Sequence, residues 1–560
     1  MGRPGLPRAL AGIVTLLLLG CGGAGSADSK KESDAPVSDD TLRIALIAWP
    51  ATWNPLLSQN AVDEWVFHQV FEGLVDVDAN EEFKARLAES WTFSADAKVL
   101  TFTLRDGVKW HDGQPFTADD VIFTFNAMKN DADESWRSLT VDVDSVTAPS
   151  PGKVVVTYKE PFAAALSMWT VPILPKHCFP AGKSFADASD PQLFKGIGTG
   201  PYRISATTFG DSIALERNPD FKRPAPFFRH VVFKMIQDTT EALKQIADGN
   251  LDVTRMRPAD WRFNTNPEEW DPILKKTMCP SLGYLYIGWN QDGSNPFFSD
   301  LRVRRAMTLL WDGEKMKGER MSGLAAVAFG PFPAQSKYFS PKFTPLPHSI
   351  EDGKRELDAA GWIDHDGDGI RDRDGLPFKF KVLTIQGNLI TDEIAFDFSD
   401  ELKENGIQME YVRVSYPELL ARLRKGDFQA YISQWSGDFD PDYIFPLFHG
   451  SSDRQAGNYV GYVNPVVDEL LLSGRRTTDP AKRVEIYQKL HETIYADHPY
   501  LFLFYAPTLW GTSTRLEGVK PFPGGPMLGD PGLLEWRSTR PAKKPVPKAP
   551  PGSDSAAKNP

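Results

Sequence analysis

The sequence predicts mixed α/β lobes around a large core, and three observations carry that reading. Strand-like and helix-like segments alternate through residues 41–538, which fits an α/β architecture and neither a helical bundle nor a sandwich. The 560 residues are 41% hydrophobic and 24% charged, the proportions of a chain that buries a sizeable core. No repeat of solenoid period recurs. The length suggests about three or four domains.

Residues 41–48 (TLRIALIA) read as a short strand of β-branched and apolar residues. Residues 61–71 place Val62, Trp65, Val66 and Val70 at helical spacing. Residues 99–104 alternate like a half-buried strand. Thr117 then opens a helix, with Asp120 three residues on as a variant of the capping box. Further strands are expected at 154–158, from 201 onward, at 378–384, 407–414 and 428–433. Further helices are expected at 300–311, 394–404 and 484–495. The 12% aromatic content points mainly to buried lobes, with a smaller share available to line a cleft.

A net charge of −12 with no basic stripe argues against nucleic acid as a partner. Cys21, Cys178 and Cys279 form no C-x-x-C pair, so neither a zinc knuckle nor a thioredoxin-type site is written here. Cys178 and Cys279 are either a disulfide or two free thiols. Arg3 and Arg8 precede the apolar run 9–19, the layout of a signal peptide spanning 1–20. The run ends in Leu18-Leu19-Gly20-Cys21, which resembles the lipobox of bacterial lipoproteins and implies lipidation of Cys21. Residues 21–40 then read as a flexible tether and 539–560 as a disordered tail, both too poor in apolar groups to order themselves.

Several segments appear in order across nearly the whole body. They are Phe71-Glu72-Gly73-Leu74, Leu87-Ala88-Glu89-Ser90-Trp91, the run 102–113 (FTLRDGVKWHDG), and Phe116-Thr117-Ala118-Asp119-Asp120-Val121. Gly198-Thr199-Gly200-Pro201-Tyr202, Arg302-Val303-Arg304-Arg305-Ala306 and Gly361-Trp362-Ile363-Asp364 follow. Together they resemble family 5 of the bacterial extracellular solute-binding proteins, the peptide/nickel class that serves ATP-driven importers. The resemblance implies a two-lobed clamshell of the periplasmic-binding-protein type (class II) with an extra subdomain. The first lobe is expected over 41–286, with the subdomain at about 60–195. The second lobe is expected over 287–505, with a return to the first at 506–538. Ile287 and Tyr505 would mark the hinge. Hinge closure on a ligand held by both lobes follows from that architecture.

The loop 434–442 (QWSGDFDPD) follows a strand and is polar, where ligands of open α/β lobes sit. In peptide-binding members of the family an Asp in a similar W-x-x-D setting holds the peptide's amino terminus, and Asp438 matches it. The alternative is that Asp438 or Asp440 only shapes the turn. Trp435 and Phe439 flank this Asp. The loop 49–55 brings Trp49, Trp53 and Asn54 toward the expected cleft mouth or, alternatively, into the core. Asp364, Asp366, Asp368 and Asp372 resemble the start of a calcium loop, with Gly369 at its sixth position. Its twelfth position, where a bidentate Glu belongs, is Gly375. No cofactor is otherwise expected.

Enzyme signatures are absent. His491-Glu492 is followed by Tyr495 where a zinc protease needs His, and neither a G-x-S-x-G elbow nor a phosphate loop occurs. The sequence thus predicts a monomeric importer component that captures short peptides. It would hand them to permease and ATPase subunits, with membrane contact through its lipid anchor only. The same clamshell binding a nickel chelate or an oligosaccharide, or serving as a sensor or chaperone, is the alternative.

Overall fold

A computed structural model describes residues 40–58, 62–132, 134–180, Phe185, Ser189, 194–452 and 454–539. The expected signal peptide, Cys21, all of the tether but Asp40 and all of the tail but Thr539 lie outside the described residues.

Two mixed sheets form the two lobes. The first has seven strands in the spatial order Leu274–Cys279, Thr508–Ser513, Val253–Met256, Thr41–Leu46, His230–Met235, Ser212–Arg217, Tyr202–Thr208. Thr41–Leu46 sits at its centre, parallel to both neighbours. The second has six strands in the order Ala326–Val327, Tyr500–Tyr505, Tyr284–Trp289, Ala430–Trp435, Lys379–Ile385, Gln408–Val414. A four-stranded antiparallel sheet, Ala88–Phe93, Val99–Leu104, Lys153–Tyr158 and Val143–Ser150, is inserted between the first strand of the first sheet and the rest.

The sequence builds the second lobe around strands buried on both faces. Tyr284–Trp289 (YLYIGW) and Tyr500–Tyr505 (YLFLFY) are buried at every position. Such strands lose the polar alternation of a half-exposed sheet. One face is covered by the helices Leu301–Leu310 and Leu389–Glu404 through Val303, Met307, Ile394 and Phe398. The other packs against Pro465–Arg476 and Pro480–Asp497 through Leu471, Tyr487 and Ile494.

Two helices begin earlier than apolar periodicity predicts. Leu389–Glu404, capped by Asn388, starts five residues before Ile394, because Leu389 and Ile390 are exposed and add nothing to the buried stripe. Pro480–Asp497 starts at Asp479, whose carboxylate accepts from the Ala481 and Lys482 amides at 3.0 and 3.2 Å. The cap and the proline set that start, and the apolar stripe joins later.

Asp120 does open the helix Ala118–Asn130 as the capping reading expects, accepting from the Thr117 amide at 2.9 Å. Cys178 and Cys279 are both free thiols.

The chain's return to the first lobe is fastened by Arg515. Its guanidinium donates twice to Asp252, at 2.6 Å each, and also reaches the Thr41 carbonyl at 2.8 Å and Ser538 at 3.0 Å. One side chain thereby joins segments more than 400 residues apart. Asp252 is only 2% exposed, so removing its partner leaves a buried charge. Arg43 remains 4.0 Å from it and softens the loss. Arg515→Ala is therefore expected to cost about 3 kcal/mol, the lower end for a broken buried pair, measured as a fall in denaturation midpoint.

Candidate functional site

The chain passes between the two sheets at 280–283 and at 506–507. The first of these passages lies directly against the loop that leaves the strand Ala430–Trp435. A methyl group on Gly283 would fall 2.0 Å from the Trp435 carbonyl, and one on Gly437 would fall 2.0 Å from the Leu282 carbonyl. Both obstacles are backbone, so only glycine fits on either side. This contact fixes where residues 436–440 project.

Three carboxylates follow at alternate positions. Asp440 is held by Arg483 through two bonds of 2.7 and 2.8 Å. It also caps the short 3-10 helix Pro441–Ile444 by accepting from the Asp442 amide at 2.9 Å. Asp442 is held by Arg475 through bonds of 3.0 and 2.8 Å. Bidentate pairs of this kind fix geometry as well as charge. Asp438 accepts the Asp440 amide at 3.2 Å, and no cation pairs with it among the described residues. Its side chain is exposed to solvent, yet enough protein lies around it to desolvate the charge. A group on the floor of an open cleft satisfies both conditions. Desolvation, reinforced by the nearby charges of Asp440 and Asp442, pushes its pKa up to about 6.

The first lobe contributes Glu64, from the helix Asp63–Val70. It too is exposed yet partly desolvated by the protein around it. Desolvation raises its pKa, with His68 opposing and Asp438 and Asp63 adding to the rise. Two carboxylates, one from each lobe, therefore sense each other across the gap. Around them the lobes touch. Phe439 meets Phe522 of the return segment at 5.4 Å between ring centres. Arg475 bonds Asp142 at 2.8 Å, and its carbonyl accepts the Ala163 amide at 2.8 Å. Lys337 reaches Glu81 at 2.9 Å.

Trp435 is half-buried, stacked between Tyr286 and Tyr459 at 6.0 and 5.7 Å with nearly parallel rings. It stiffens the strand that carries the loop. Trp53 and Asn54 lie inside the first lobe. Trp53 is 8% exposed and packs in the core. Asn54 is fully buried, accepts the Leu56 amide at 3.0 Å and donates to Ser189 at 2.7 Å. Trp49 stays half-exposed against Phe209. The positions that sequence reasoning did not single out are Glu64, Arg475, Arg483 and Phe522. Their only sequence signal is charge or aromaticity at scattered places, which a linear reading cannot assemble.

In the acidic loop, the carboxylates of Asp364, Asp366 and Asp372 come within 4.8 Å of one another, with Asp368 outside that group. Asp364 accepts the Gly367 and Gly369 amides at 2.8 and 3.0 Å, and Asp372 accepts the His365 amide at 2.9 Å. Asp366 and Asp368 accept the Asp368 and Ile370 amides at 3.1 and 2.7 Å.

The backbone contact behind Asp438 makes a sharp expectation. Gly437→Ala should lower the melting temperature by an amount equivalent to about 1–3 kcal/mol, the cost of overpacking a site that cannot yield. The same variant should weaken ligand binding, because the carboxylate moves with the loop. Calorimetry and titration of one preparation would read both.

A family model for bacterial extracellular solute-binding proteins, family 5 middle, matches residues 82–456. The oligopeptide-binding protein AppA of Bacillus subtilis (strain 168) is 29% identical over 523 residues, covering 91% of this chain and 95% of that protein. The solved structure of AppA from Bacillus subtilis in complex with a nonapeptide matches with a TM-score of 0.77 at 27% identity, over 89% of this chain and 99% of that one. NikZ from Campylobacter jejuni in complex with Ni(L-His) matches with a TM-score of 0.76 at 26% identity, over 90% and 100%. The two-lobed α/β architecture and the long family match lead to one conclusion: this chain belongs to the bacterial extracellular solute-binding proteins, family 5.

Proposed function

We propose that this protein captures short peptides outside the cytoplasm and delivers them to an ATP-driven importer, with Asp438 holding the peptide's amino terminus. The observation that carries this reading is the unpaired carboxylate itself. Of three neighbouring Asp side chains, two are neutralised by arginines and one is left facing the gap between lobes. A carboxylate that has no cation of its own beside two neutralised neighbours is an incomplete ion pair, and an ammonium completes it. A charge-assisted bond of this type contributes about 1.5–3 kcal/mol. Glu64 adds to the preference for positive charge, since a cation between the lobes relieves its repulsion with Asp438. The likeness to AppA, a protein solved with a nonapeptide, supports the same ligand class.

In this reading the protein works by binding and release, without turnover. Ligand contacts from both lobes favour the closed form, and a membrane permease distinguishes loaded from empty protein by shape. Lipidated Cys21 would keep the protein at the membrane surface. The likeness to NikZ, solved with Ni(L-His), makes a metal chelate the rival ligand. A chelate carries its amine on the metal and would offer the site a positively charged complex instead of a free ammonium, so the two ligands must be separated by experiment.

The acidic loop 364–372 supports a second, smaller proposal of a structural calcium ion, resting on the three converging carboxylates. These groups already accept backbone amides, so the turn holds itself without an ion. Any calcium effect should therefore appear as a modest rise in melting temperature that Asp364→Asn abolishes.

Titration calorimetry tests the main reading. Peptides with free amino termini should bind, and N-acetylation or Asp438→Asn should each weaken binding about ten- to hundredfold. Binding of nickel–histidine with peptides silent would overturn the peptide assignment. A pH series adds an independent check. Only the ionised Asp438 pairs with an ammonium, and desolvation pushes its carboxyl up to about 6. Affinity should hold above about pH 7 and fall as the pH drops through 6, approaching a tenfold loss per unit. In Asp438→Asn that slope should flatten.

A further inference from the structure

We propose that Asp112, His177 and Cys178 form a site for one divalent transition-metal ion of the zinc class. The three side chains come from two separate turns beside the four-stranded sheet, and none belongs to the cleft around Asp438. Their donor atoms, a carboxylate oxygen, an imidazole nitrogen and a thiol sulfur, all lie within 4.8 Å of one another. His177 Nε2 and Asp112 Oδ2 are already 2.7 Å apart.

This donor set is chemically selective. Thiolate and imidazole favour borderline and soft ions over calcium and magnesium, which prefer oxygen alone. Zinc bonds of about 2.0–2.1 Å to nitrogen or oxygen and 2.3 Å to sulfur imply donor separations of ~3.3–3.6 Å in a tetrahedron. The His177–Asp112 pair must therefore open by ~0.6 Å, and the sulfur must approach by at most ~1.2 Å. Asp112 and His177 are each about one-third exposed, so side-chain rotation supplies that movement without disturbing the core. Three protein donors leave a fourth position for water.

The two turns are held in place without help from a metal. Asp112 Oδ1 accepts the Gln114 amide at 3.1 Å, which leaves Oδ2 directed at His177. Asp120 accepts the Lys176 amide at 2.9 Å, and the Cys178 amide donates to the Pro175 carbonyl at 3.0 Å. The Trp110 ring packs edge-on to His177 at 6.3 Å between centres. The adjacent cation in the chain, Lys176, is occupied by Asp119 at 2.9 Å. The surroundings are therefore acidic, and a dication fits them where a bare thiolate would not.

Cobalt provides the test. Metal-free full-length protein kept reduced would be titrated with Co²⁺ and then with Zn²⁺. The expected result is one equivalent of Co²⁺ with a near-ultraviolet sulfur-to-cobalt charge-transfer band and the strong visible bands of tetrahedral cobalt, all displaced by Zn²⁺. Cys178→Ala should abolish the charge-transfer band. Asp112→Asn, which keeps the turn but removes the charge, should weaken binding more than tenfold, since even outer partners of a bound metal are worth about ten- to hundredfold. Cys279→Ala, at the buried end of the strand Leu274–Cys279, should leave the band unchanged. Circular dichroism of each metal-free variant would separate loss of ligation from loss of fold. No charge-transfer band in the wild type, or an unchanged one in Cys178→Ala, would overturn the site.

Discussion

The structure depends on a pair of neighbouring chain crossings. In the first sheet Leu274–Cys279 runs antiparallel to Thr508–Ser513, with Cys279 opposite Thr508. In the second sheet Tyr284–Trp289 runs antiparallel to Tyr500–Tyr505, with Leu285 opposite Phe504. One two-stranded ribbon therefore enters both lobes, interrupted only at 280–283 and 506–507. Few residues absorb any change of angle between the lobes, which is how hinge motion is built. The same crossing supports the cleft. Because Gly283 and Gly437 let two backbones touch, Asp438 is anchored directly to a segment that joins the lobes.

Charge does the rest of the positioning. Arg483 and Arg475 lock the two carboxylates beside Asp438, so the loop is rigid and its one free charge is well placed. Arg475 extends that network to Asp142, across the gap. Contacts between lobes such as Lys337–Glu81 are solvent-exposed, and pairs of that kind contribute only about 0–1 kcal/mol. The Arg475–Asp142 pair is less exposed, and the Ala163 amide on the Arg475 carbonyl joins the lobes beside it.

The sequence by itself determined the α/β class, because periodicity and caps are local properties. Thr117 with Asp120 marks a helix start through bonds made within three residues. It also determined the loop that carries Asp438, since a polar Gly- and Pro-containing stretch after a strand has few other places to go. Tertiary structure alone decided the strands Tyr284–Trp289 and Tyr500–Tyr505. Buried on both faces, they have no polar alternation to reveal them. It likewise decided which Asp stays unpaired, since Arg475 and Arg483 lie 33 and 43 residues from their partners. It sent Asn54 into the first lobe as a buried cap, though its loop reads equally well as a cleft edge. Local sequence fixes what each segment can form, whereas long-range packing and ion pairing select which polar groups are satisfied and which remain open to a ligand.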